Sequence, residues 1–68
     1  MKNRIPRKFN RITGTVNIST SHTSPGDVIH ITKNENGYLG LNTRTGKYAY
    51  YFSAMLRNAE IFTITEVE

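Results

Sequence analysis

Five cations fall within the first eleven residues, Lys2, Arg4, Arg7, Lys8 and Arg11, with no acid among them. The other bases are Lys33, Arg44, Lys47 and Arg57, and they face the acids Asp27, Glu35, Glu60, Glu66 and Glu68. The opening segment therefore carries +5 and the remainder −1, which together give the chain's +4. Clustered cations hold phosphates and release the counterions condensed on a nucleic acid. Arg44 and Lys47 flank a polar turn, and the outward tyrosines offer faces on which bases stack. Lys2, Arg4, Arg7, Lys8, Arg11, Arg44 and Lys47 are thus the expected phosphate contacts, with Tyr38 and Tyr48 stacking. The plainer alternatives are a solvated start that keeps a small protein soluble, and tyrosines packed on their cross-strand neighbours.

Catalysis needs a nucleophile with its base, an acid–base pair, or a metal or cofactor. The chain has no cysteine, so thiolate chemistry, disulfides and Cys-based zinc sets are excluded. His22 sits near Ser21 and Ser24 in TSHTSPGD, where Asp27 is the only candidate to orient it. Neighbours in a polar turn do not make a triad. His30 falls in a strand pattern, and two histidines alone match none of the usual zinc ligand sets. There is no Walker loop and no GxGxxG; Gly37, Gly40 and Gly46 read as turn or packing glycines. The expectation is a non-enzyme with no cofactor, no metal and no small-molecule substrate. Its partner is then a nucleic acid, DNA or RNA, or a protein.

The length of 68 residues sets one domain with a modest core. No apolar run is long enough to span a bilayer, and the basic start lacks the apolar core of a signal peptide. The missing cysteines fit a reducing, cytoplasmic home with no membrane partner.

The elements that must carry these residues follow from alternation and turn chemistry. Residues 1–11 form an irregular basic arm broken by Pro6, with Phe9 free to pin it to the body formed by residues 12–68. Ile12 to Ser19 alternates, with Ile12, Gly14, Val16 and Ile18 on one face. Gly14 leaves room for a backbone or a large side chain. Residues 20–27 are turn chemistry around Pro25-Gly26. Val28 to Thr32 puts Ile29 and Ile31 on one face, and a hairpin ends in Asn36-Gly37. Tyr38 to Asn42 follows, with Leu39 and Leu41 expected inward and Tyr38, Gly40 and Asn42 outward. After a second turn, Lys47 to Phe52 sets Tyr48, Tyr50 and Phe52 against Ala49 and a core Tyr51. Ser53 to Asn58 is too short for a stable helix and reads as one 3₁₀ or α turn, which Ser53 can cap. Glu60 to Val67 closes the domain with Phe62 and Ile64 on one side. Five short strands and one helical turn predict a small all-β closed barrel.

The pattern over residues 12–67 resembles the SH3-like barrel. Gly26-Asp27 with Ile29 and Ile31 is similar to the GD-x-hydrophobic strand after the family's first long loop. Tyr38-Leu39 falls where the Trp pair would be. GKYAYYFSAML, Gly46 to Leu56, aligns without gaps on the G-R-x-G-Y-I-P-S-N-Y-V pattern. The resemblance implies a five-stranded SH3-like barrel with a 3₁₀ turn before the last strand. It also implies a ligand groove in which Tyr38 stands for the Trp, Phe52 for the Pro and Met55 for the Tyr. The ALYDY segment is absent, replaced by TGTVN, and the first loop lacks the family's ligand-binding carboxylates. Most polyproline-reading residues are therefore gone. An aromatic–Met groove at Tyr38, Phe52 and Met55 still suits a protein partner. The alternative expectation is thus a protein-interaction module, or an inhibitor or regulator of a larger partner. The Asn-, Thr-, Ile- and Lys-leaning usage fits an AT-rich genome, and small basic single-domain proteins are common in bacteriophages; a phage origin would make a regulator acting on host machinery the expectation. Edge strands add a third expectation, self-association as a homo-oligomer.

Overall fold

The computed structural model describes residues 2–68. Its elements are β1 (Ile12–Val16), β2 (Val28–Asn34), β3 (Gly37–Asn42), β4 (Lys47–Tyr51), α1 (Ser53–Arg57) and β5 (Phe62–Val67). The architecture is all-β: a single antiparallel sheet in the order β4-β3-β2-β1-β5. Among the described residues no helix is long and apolar enough to cross a membrane.

The core is built by the period-two faces of β1, β2 and β5. Ile12, Val16, Ile29, Ile31, Phe62 and the helical Leu56 are all buried. Between Ile12 and Val16, Gly14 supplies the missing volume that the Phe62 ring fills. A β-bulge between Thr13 and Gly14 in the pairing with β5 skips Thr65, whose hydroxyl donates to the Thr13 carbonyl at 3.1 Å.

Strand β1 ends three residues earlier than its alternation predicts. Val16 N–H donates to Asp27 O and Gly26 N–H donates to Val16 O, which closes the 17–25 loop at that point. Ile18 lies beyond the closure and is exposed rather than inward.

Strand β3 faces the opposite way from the expectation. Directly opposed residues of an antiparallel pair share a face. Ile31 pairs with Gly40 and Ile29 with Asn42, so Tyr38, Gly40 and Asn42 line the core side. Leu39 and Leu41 lie on the outer face, half-buried between Thr32 and His30 on one side and Tyr50 and Tyr48 on the other. Tyr51 reaches over Gly40 and occupies the space an inward leucine would need.

The β2–β3 turn explains the register. Glu35 and Asn36 make the loop, and no described non-glycine residue has positive φ, so Asn36-Gly37 is not the central pair of a mirror-image turn. Asn34 Oδ1 instead accepts from Asn36 N–H at 2.8 Å, and Gly37, at φ +130°, takes up the backbone twist.

Of the two forms expected, the helical turn takes the α form at its core, since Leu56 N–H reaches Phe52 O at 3.2 Å. Phe52, not Ser53, is the N-cap, and no side chain caps the helix. Five residues suffice because Leu56 is driven into the core.

Strands β4 and β5 end the sheet on opposite sides and do not pair with each other. The segment holding α1 bridges them, and the N-terminal residues lie against that bridge. Asn3 N–H donates to Arg57 O at 2.7 Å. Its side-chain amide donates to Leu56 O at 2.9 Å and to Phe62 O at 2.5 Å. Further along, Asn10 N–H donates to Glu68 O, Glu68 N–H donates to Arg11 O, and Ile5 and Phe9 pack on the core. Residues 2–11 are therefore docked on the body. Asn3→Ala strands two partly buried carbonyls and is expected to cost about 1–2 kcal/mol. Hydrogen exchange should show it as faster exchange of the backbone amide at position 3, which bonds Arg57 O; unchanged exchange and an unchanged melt would mean that Asn3 is not the anchor.

Candidate nucleic-acid interface

A polar cleft of about 380 Å³ opens between the 17–27 loop, the β3–β4 turn and β4. It is organised by a carboxylate that only tertiary folding buries. Asp27 is 4% exposed and Asn42 2%. Arg44 Nε donates to Asp27 Oδ1 at 2.6 Å and Nη2 donates to Oδ2 at 3.0 Å, a two-pronged ion pair. Asn42 Nδ2 and Ser24 N–H donate to the same Oδ2 at 2.8 and 2.9 Å. The Arg44 guanidinium first, then the Asn42 amide and the Ser24 N–H, hold the Asp27 carboxyl far below the usual carboxylate range. The same pairing raises Arg44. Asn42 Oδ1 accepts from Arg44 N–H at 2.9 Å, so one side chain sets the turn and orients the carboxylate's neighbour.

Around this network stand His22, Ser21, Thr45, Lys47 and Tyr48. Tyr48 is 66% exposed. Tyr51 forms the inner wall, and burial, then the nearby Asp27 charge, pushes its phenol up. Arg44, Lys47 and Tyr48 all line the cleft, with Lys47 and Tyr48 on opposite faces of β4. The structure adds His22 and Ser21 from the loop, and Asp27 and Asn42 as orienting groups, which the sequence reading left out of the site. The one local hint was Asp27 directly after Pro25-Gly26; its partner lies in another turn.

The N-terminal cations form a separate group, on a segment that Lys2, Asn3, Asn10 and Arg11 tie to residues 56–58, 62 and 68 rather than to the cleft. Lys2, Arg4, Arg7 and Lys8 are exposed and make no ion pair among the described residues. Arg11 differs: its guanidinium is paired with Glu68. Its charge is thus not free of a carboxylate partner, and Arg44 likewise carries its charge beside a buried acid.

Tyr38 is not an open stacking platform. It points to the core side, Phe9 lies parallel to it with centroids 6.4 Å apart and planes at 4°, and Lys33 Nζ sits 5.6 Å from its ring centre. The ring that outward exposure was expected to offer is engaged within the protein.

The aromatic groove of the alternative reading is also redrawn. Tyr38, Tyr50, Tyr51 and Phe52 line a shallow depression, and Phe52 is 82% exposed. Met55 does not line it, because α1 packs that side chain against the core. His30 pairs with Thr13 across the outer face, Nδ1 to Oγ1 at 3.0 Å. Among the described residues no group of three His, Asp or Glu side chains is placed to hold a metal ion. Comparison with protein-family models, with curated proteins and with solved structures finds no match.

Proposed function

We propose that this chain is a non-catalytic nucleic-acid-binding module of the cell interior, with an SH3-like fold. Strand order and the helical turn before the last strand support the fold reading. The observation that carries the function is the state of the basic residues. Lys2, Arg4, Arg7 and Lys8 are exposed, without carboxylate partners among the described residues, on a segment docked to the body. Docking fixes the spacing of the charges before a ligand arrives, which lowers the ordering cost of phosphate contacts. Lys47 and Tyr48 extend the surface at the cleft.

The test is fluorescence anisotropy with labelled oligonucleotides across a salt series. With these four cations and Lys47 engaged, log affinity for a single strand should fall against log salt with a slope of roughly −3 to −4. Reversing Arg4 and Arg7 to glutamate should flatten that slope by roughly 1–1.5. No binding at low salt, or binding indifferent to both salt and the arm variants, would sink the proposal.

One observation favours a second reading, a protein-interaction module or inhibitor. Phe52 stands almost fully exposed at the end of β4, beside Tyr50. A large exposed aromatic over a shallow groove is the anchor of many protein contacts. A protein captured by the wild type through nuclease and moderate salt, and lost with Phe52→Ser, would select it.

A further inference from the structure

We propose that β4 is the interface of a two-fold dimer, in which the strand pairs antiparallel with β4 of a second copy of this chain. Such a dimer goes beyond the nucleic-acid reading and uses none of the arm cations.

Strand β4 ends the sheet and pairs on one side only, with β3. On its other side no backbone group of Lys47–Tyr51 has a backbone partner among the described residues. The 17–27 loop faces β4 across the cleft, and the bonds of Asp27 run to Asn42 and Arg44 rather than to β4. Proteins guard such edges with bulges, prolines or charges, because an open edge is a template for another strand. At the far side of the sheet β5 carries a bulge and Glu66. Strand β4 has no register shift, no proline and one charge, Lys47, at its first position.

The strand also matches itself. Pairing all of Lys47–Tyr51 with a second copy sets the two-fold axis at Ala49, and directly opposed residues share a face. Tyr48 then meets the second copy's Tyr50, twice over by symmetry, on the outer face where both rings are more than half exposed. Aromatic pairs of this kind are what stabilise neighbouring strands. Lys47 meets the second copy's Tyr51, so the strand's only charge never opposes a like charge. Phe52, extended and 82% exposed, falls against the second copy's Gly46, where the space a side chain would fill is open. Leu41 and Leu39 lie beside Tyr48 and Tyr50 on β3, so the patch that the pairing extends is uncharged. A strand that fits itself in charge and in ring placement points to a second copy rather than to an unlike partner.

Sedimentation velocity from low-micromolar to near-millimolar protein tests this, on wild type, Tyr48→Lys and Tyr48→Phe. Tyr48 is exposed, so both variants should keep the wild-type melt in dilute solution. Wild type should pass from monomer to dimer as concentration rises, as expected of an interface built on one strand pair. Over the same range the β4 amides should gain protection from hydrogen exchange. Tyr48→Lys puts a charge into both symmetry-related pairs and should weaken the dimer about tenfold. Tyr48→Phe should dimerise as wild type, because the ring is kept. A wild type that stays monomeric at the highest concentration overturns the proposal. So does a dimer that Tyr48→Lys leaves intact, or one whose β4 amides exchange as in the monomer.

Discussion

Gly14→Ala is expected to destabilise the domain by about 3 kcal/mol or more, at the upper end of overpacking costs. A Cβ built on Gly14 lies 2.7 Å from both Cε atoms of Phe62 and nearer still to Cζ. Real side chains do not approach so closely. The ring cannot swing into solvent, because Phe62 is 1% exposed within the Ile12, Val16, Ile29 and Leu56 cluster. Backbone retreat is restricted too, since β1 is paired on both edges, to β2 and to β5. Elsewhere a glycine-to-alanine change stabilises by restricting the unfolded chain, typically by 0.4–1 kcal/mol by general experience; the clash reverses that sign. In a domain this size the melting temperature should fall by roughly 12–24 °C. Pairing the change with Phe62→Leu should recover part of the loss, giving a coupling term in a double-mutant cycle. A melting temperature for Gly14→Ala at or above that of wild type would show that the ring does not occupy this space.

Asp27→Asn should give the second large loss, on the order of 10 °C in melting temperature at neutral pH. The amide presents one acceptor where the carboxylate presents two, and its NH₂ faces donors from Arg44, Asn42 or Ser24. Arg44 then loses its partner, and the 17–27 loop loses its tie to the β3–β4 turn. The pH dependence carries the diagnosis. The folded carboxyl titrates below its unfolded value, so its contribution is complete above the ordinary carboxylate range. It is lost as pH falls through the folded value. The gap between wild type and variant should therefore be constant from neutral pH down to about pH 5, then narrow steadily below about pH 4. Urea titrations of both proteins across this range give the gap directly, and other carboxylates cancel in the difference. A gap that persists unchanged at the acid end would show that the charge on Asp27 is not what holds the loop.

Much of this fold is legible in the residues one strand at a time. Alternation in Ile12–Val16, Val28–Thr32 and Phe62–Ile64 fixes which side chains enter the core, because a strand's faces repeat every two residues. The same logic places Tyr51 inward and Tyr48 and Tyr50 outward, and marks Gly14 as a site of close approach. Turn chemistry separates the strands. The basic cluster, with Arg44, Lys47 and Tyr48 near one another, is likewise a property of the sequence itself.

What only tertiary structure decided is each choice that depends on a distant partner. Leu39 and Leu41 look inward by hydrophobicity, yet the pairing of Gly40 with Ile31 and the bulk of Tyr51 turn them out. Tyr38 looks like an open platform until Phe9, from a segment 29 positions earlier, covers it. The arm reads as a tail until Asn3 finds the carbonyls of Leu56 and Phe62. Asp27 and Arg44 lie 17 positions apart, and Arg11 and Glu68 lie 57 apart. No local pattern signals such pairs. The sequence shows how many cations there are; folding decides which are already matched by an acid and which remain for a ligand.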